Sequence, residues 1–195
     1  MWHAGTDMLR SKSLDRNSYD SGDWFNYLDF TMTDNGFAAG LPPERDNGGK
    51  WHVLAPLLAD PRLKPTPAAI RAAHAQALDL LRLRGSTRLF RLGTADLVQA
   101  KLTFPVANSW HQLPGVIVMA VDDRRNPVDE RWSGVLTIFN STPWLVRQTM
   151  PLDLSGYTLH PVHADGADPV VRASEVGRDW ITVPARTAAV FVRPR

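Results

Sequence analysis

The chain has no cysteine among its 195 residues. That excludes disulfides, thiolate metal sites and thiol nucleophiles together, and it leaves the compartment open, since an exported protein need not carry a disulfide. No apolar run approaches the ~18 residues of a membrane span, and no basic region followed by an apolar stretch marks a signal peptide. An excess of one charge is missing as well. Lys and Arg number 22 against 20 Asp and Glu, interspersed, for a net charge of +2. There is therefore no electrostatic footprint for nucleic acid. Internal repeats and low-complexity tracts are absent. The six histidines are scattered, and His160 and His163, at an expected strand end, would point to different faces, so no zinc site is expected.

What is present is enough for a packed core: 44% of the residues are hydrophobic. The length suits one large domain, or one domain with part of another.

The most informative stretch is Ser11 to Asn26, SKSLDRNSYDSGDWFN. Its sixteen positions hold two basic residues, three carboxylates, two amides, three aromatics and a run of hydroxyls. Neither the two-residue nor the 3.6-residue period is visible, so it reads as an ordered loop. Carboxylates and amides chelate neighbouring sugar hydroxyls, arginine donates in a fixed fork, and an aromatic ring stacks on a pyranose face. The same residues also build ordinary tight turns. Asp15, Asn17 and Asp20 offer oxygens to calcium, but the spaced acidic loop of a dedicated calcium site is lacking.

Beyond the loop, Asp34-Asn35-Gly36, Pro42-Pro43 and Asn47-Gly48-Gly49 announce a long irregular segment. Lys50 to Ala59 reads as a short helix interrupted near Pro56. Thr66 and Pro67 open the clearest helix, as N-cap and first helical residue. Ile70, Ala73, Ala77, Leu80, Leu81 and Arg84 share its expected face, and Gly85 is its expected stop.

From Thr87 the texture becomes β-rich. Runs at Asp96 to Phe104, Gly115 to Val121, Gly134 to Phe139, Trp144 to Met150, Tyr157 to Val162, Trp180 to Val183 and Ala188 to Arg193 predict an antiparallel sandwich. Trp180, Ile181, Val183, Val190 and Val192 are its core candidates on one buried face.

The string from Ser11 to Asn26 resembles the one that follows the last barrel strand in pullulanase-type α-1,6-glucosidases, the starch-debranching branch of the α-amylase superfamily. Leu89 to Gly93, Val98-Gln99-Ala100, Pro114 to Met119 and Asp122-Asp123 are similar to the C-terminal domain of the same enzymes. The resemblance implies an α+β chain: the end of a (β/α)8 barrel over residues 1–86, then an all-β antiparallel sandwich over 87–195. The chain would then start inside or just after the eighth barrel strand, and the helix from Pro67 would be the last barrel helix.

By the same resemblance the catalytic carboxylates lie upstream, so no catalytic residue is assigned here and the chain is not expected to hydrolyse sugar alone. Asp15, Asp20, Asp23 and Asp29 are close in sequence, but an acid and a base need separated pKa values as well as proximity. The implied role is contact with an α-glucan. Asp23 would bond glucose hydroxyls, Arg16 and Asp20 would hold the loop or add contacts, and Trp24 or Tyr19 would wall the cleft. Two alternatives stand beside this: an ion pair of Arg16 with Asp15 or Asp20, and burial of Trp24 and Phe25 under the loop, which is the first expectation for aromatics. The implied partners are the upstream part of the barrel and an α-glucan chain; no cofactor is assigned with certainty, and calcium is left open for the parent enzyme. A glucan-binding module that does not cut, and a purely structural domain, are the competing readings.

Overall fold

The computed structural model describes residues 2–19 and 22–195, with Asp23 and Phe25 described by backbone alone. The chain divides into two compact units, Met1–Ala77 and Leu78–Arg195.

The first unit is built from turns and short helices: α1 (Asp23–Asn26), α2 (Glu44–Asn47), α3 (Trp51–Leu58) and the first half of α4 (Pro67–Ser86). Among the described residues its buried apolar ones are Met8, Phe37, Leu58, Ile70 and Ala77. So small a core cannot by itself order the long loops, and side-chain bonds to backbone supply much of the rest. Asn35 donates to the Leu9 carbonyl at 2.7 Å and accepts from the Phe37 amide at 3.0 Å, while its own carbonyl takes the Ser11 amide at 2.7 Å. Next to it Gly36 has φ +81°, and a Cβ there would stand 2.9 Å from the Ser11 carbonyl oxygen, so glycine is required.

Two helical expectations are corrected. α3 runs through Pro56 without interruption. The ring removes one amide, but its fixed φ is helical, and the helix closes with the Ala59 amide on the Ala55 carbonyl at 3.0 Å. α4 begins as read, with Thr66 Oγ1 accepting from the Ala69 amide at 3.2 Å. It does not stop at Gly85. The Ser86 hydroxyl bonds the Leu83 carbonyl at 2.7 Å and carries the last turn one residue further. Its buried apolar positions are Ile70, Ala77 and Leu83, with Asp79 buried beside them, whereas Leu80 and Leu81 are exposed.

The second unit contains, in chain order, α5 (Ala95–Lys101), β1 (Leu102–Thr103), β2 (Val116–Asp122), β3 (Trp132–Asn140), β4 (Val146–Thr149), β5 (Thr158–Leu159), α6 (Pro161–Asp165), β6 (Glu175–Val176), β7 (Trp180–Val183) and β8 (Thr187–Pro194). They form a five-stranded sheet of order β1-β2-β3-β8-β5 and a three-stranded sheet of order β4-β7-β6. All pairings are antiparallel. Val118, Ile138 and Phe191 from the first sheet and Val146, Ile181 and Val183 from the second share one hydrophobic cluster. The chain is thus a mixture of helices and antiparallel sheets.

The run expected as a strand over Asp96 to Phe104 is mostly helix α5. Thr94 Oγ1 accepts from the Leu97 amide at 3.3 Å and Asp96 sits in the first turn, two start signals that outweigh the apolar run. The expected strand over Tyr157 to Val162 yields to helix α6 after two residues. His160 is its N-cap, its Nδ1 accepting from the Val162 amide at 3.1 Å, and Pro161 opens the helix. His160 and His163 are therefore three apart on a helical start and not on opposite faces of a strand. Nor does β8 bury one face only. Ala189 and Phe191 point into the cluster between the sheets, while Val190 and Val192 join Leu83, Leu89, Val121 and Trp132 in a second cluster. Trp180 is only half-buried, with the Arg147 guanidinium 4.0 Å above its ring.

Candidate functional site

The Ser11 to Asn26 loop is pinned at both ends. Arg10 donates from Nη2 to the Asn26 carbonyl at 3.1 Å and to its side-chain oxygen at 2.7 Å, and Asn26 donates to the Gly22 carbonyl at 3.2 Å. Between them Ser13 and Leu14 take positive φ, and the Ser13 hydroxyl donates to the Gly40 carbonyl. The Asn47 amide bonds Asp15 Oδ1 at 2.7 Å, which makes Asp15 a buried support of the loop.

This framework leaves a cleft of about 230 Å³, lined by Trp24, Tyr27, Asp34, Phe37 and Lys64 among others. The volume is enough for one ring of a sugar or a comparable group. Trp24 is 56% exposed and Tyr27 65%, so the expectation that Trp24 is buried under the loop is not met. A Cβ on Gly40 would lie 3.4 Å from the Trp24 ring, so the indole packs close to this glycine.

The acids of the cleft are already engaged. Asp29 accepts from the hydroxyls and amides of Thr31 and Thr33 and from the Asp34 amide, and the two hydroxyls first of all hold its pKa far below the usual carboxylate range. Asp34 pairs with Lys64 at 2.5 Å, which lowers its pKa in the same direction. Neither can donate a proton near neutrality, so neither suits general-acid work. Among the described residues no group of three or more His, Asp or Glu is placed to hold a metal ion.

Of the residues singled out in the sequence, Trp24 lines the cleft. Tyr19 stands 85% exposed, and Arg16 is exposed. Asp15 bonds Asn47 and, among the described residues, makes no ion pair with Arg16. Asp20 lies outside the described residues, and Asp23 opens α1 by its backbone. Sequence reasoning missed Tyr27, Asp34 and Lys64. The last two meet across thirty positions, and the only local signal there was the turn at Asp34-Asn35-Gly36.

A mixed chain of this kind, with turn-built helices before an antiparallel two-sheet unit, defines a class before it defines a family. Residues 32–194 match the family model for α-1,6-glucosidases, pullulanase-type, C-terminal. The chain belongs to that family and corresponds to the C-terminal portion of its members. It is 41% identical to pullulanase 1, chloroplastic, of Arabidopsis thaliana, over all of this chain and 21% of the relative. It is 31% identical to the pullulanase of Klebsiella pneumoniae, over 98% of the chain and 18% of the relative. The crystal structure of the maltotriose complex of the Klebsiella pneumoniae enzyme superimposes with a TM-score of 0.86 at 28% identity, covering 98% of this chain and 21% of that one. The chain thus spans about a fifth of the length of these relatives. No described helix is long and apolar enough to cross a membrane.

Proposed function

We propose that this chain supplies one wall of the glucan cleft, and the accessory β-sandwich, of an enzyme that cleaves α-1,6-glucosidic branches in pullulan, starch or glycogen-derived dextrins. In this reading residues 1–86 form the end of a (β/α)8 barrel and 87–195 the sandwich, and α4 is the last barrel helix. Exposed Leu78, Leu80 and Leu81 on α4 support that assignment, because a barrel helix needs an apolar stripe for its neighbours. Retaining glycoside hydrolysis requires two carboxyl groups roughly 5 Å apart, one held protonated. Every described carboxylate with a resolved shift has its pKa lowered, so the acid is assigned to the upstream barrel. An exported parent enzyme is part of the proposal.

The observation that carries the reading is the exposed Trp24 and Tyr27 pair at a cleft whose acids are locked in place. Asp23 and Asp20 would add hydroxyl contacts, with Arg16 and Tyr19 at the rim. Titration of maltotriose into the full chain, followed by NMR, tests it. Shifts of the Trp24 indole and the Tyr27 ring at millimolar sugar are expected. Unmoved signals from both, or equal shifts in Trp24→Ala, would overturn the assignment.

A further inference from the structure

A second feature lies far from the loop in sequence. Trp110 is 87% exposed, more than any other large apolar side chain among the described residues. Exposed indole is costly in water, and an aromatic surface of this size is typical of binding sites. The Trp110 ring lies against His111 with centroids 3.5 Å apart and planes inclined by 31°.

The loop that carries it is ordered from within. Val106, 1% exposed, anchors it in the core between the sheets. The Ser109 hydroxyl donates to the Val106 carbonyl at 2.7 Å and accepts the His111 amide at 3.3 Å. Gln112 Oε1 takes the Asn108 amide at 3.1 Å, and Gln148, fully buried in β4, donates to the His111 carbonyl at 2.8 Å. A loop fixed in this way loses little freedom on binding.

Chemistry selects the ligand. From Leu102 to Val121 there is no Asp, Glu, Lys or Arg. Asn108 and Gln112 are exposed, and the Asn108 side-chain amide and Gln112 Nε2 make no bond within the described chain, so donors and an acceptor remain beside the indole. A flat apolar ring flanked by neutral amides does not suit a nucleic acid or a charged peptide. It suits a pyranose, with an apolar face to stack and hydroxyls at its edge.

We propose that Trp110, with Asn108 and Gln112, forms a further α-glucan-binding site, carried by the two-sheet unit. Its role is to hold polymeric substrate near the parent enzyme, and in this it rests on the function proposed above. The occupant is a linear α-1,4-linked glucan segment.

Native gel electrophoresis of the full chain, with and without glycogen in the gel, tests the site. The wild type is expected to be retarded. Trp110→Ala should weaken apparent affinity about tenfold, the loss of one aromatic stacking contact, with an unchanged circular dichroism spectrum. Trp110→Phe, which keeps a smaller ring, should retain most of the retardation. Trp24→Ala should remove only the share of the retardation owed to the loop cleft, and Trp24→Ala with Trp110→Ala should lose more than either alone, so failure of the loop cleft and failure of this site read out separately. Absence of retardation in the wild type, retardation unchanged in Trp110→Ala, or loss in Trp110→Phe equal to that in Trp110→Ala overturns the proposal.

Discussion

Replacing Asp123 by asparagine tests how the second unit tolerates charge in its interior. Asp123 is wholly buried. Its carboxylate receives Lys101 Nζ at 2.8 Å, Arg195 Nη2 at 2.8 Å, and the Val128 and Asp129 amides at 3.1 Å. Lys101 is 4% exposed and also donates to the Arg125 and Asn126 carbonyls at 2.8 and 2.9 Å. The asparagine keeps the shape but removes the charge, and it turns an amide toward groups that can only donate. Lys101 is then left as a buried cation with two carbonyls for company. Breaking a buried pair from one side costs about 3–5 kcal/mol. Arg195 is partly exposed and finds water, so it adds little. Lys101→Met should cost about 3 kcal/mol, since it orphans two carbonyls and one side of the carboxylate. The double variant should cost at least ~2 kcal/mol less than the sum of the singles, because neither charge is then stranded. Urea denaturation of the full chain and both singles and the double at pH 7 measures this cycle. Strict additivity, or a cost for Asp123→Asn below ~1 kcal/mol, would refute the account.

Four further outcomes are expected. Burial first of all pushes the His160 pKa from 6.5 down to about 4, so the folded protein holds this ring neutral while the unfolded chain takes up a proton below 6.5. Stability should therefore fall as pH drops from about 6.5 to about 4, by at most ~3 kcal/mol from this residue, and His160→Asn, which keeps an N-cap acceptor, should flatten that slope in denaturation curves. Asn140→Ala should cost about 2–3 kcal/mol by urea denaturation, because its amide serves the Trp144, Val183 and Pro184 carbonyls and its oxygen takes the Thr142 amide and hydroxyl. Gly40→Val should displace the Trp24 ring, seen as a changed near-ultraviolet spectrum and weaker maltotriose shifts. Leu81→Glu should change the stability of the chain by less than ~0.5 kcal/mol, since Leu81 is 56% exposed, while weakening its association with an upstream barrel segment in a pull-down.

The sequence was legible where local rules and tertiary packing agree. β7 occupies Trp180–Val183, the span read from alternation, and the start of α4 follows from Thr66 and Pro67. It misled where two rules compete. Val98 sits in an apolar run that reads as a strand, yet the Thr94 cap ahead of it decides for helix. For β8 the alternation is real, but both faces are covered, and only the fold shows that Val190 and Val192 have a cluster of their own. In the cleft, Trp24 was legible as a sugar-type residue, but its packing beside Gly40 was not, and the approach of Lys64 to Asp34 joins residues thirty apart. No local pattern encodes a pairing at that distance.

The position of β8 bears on how the protein is made. In the five-stranded sheet it lies between β3 and β5, yet it is synthesised after every other strand. Until it emerges from the ribosome, the long strand β3 has an open edge of unpaired amides and carbonyls, and the apolar residues of both clusters lack their shared partner. The nascent unit therefore passes through a stage in which it is vulnerable to wrong strand pairing.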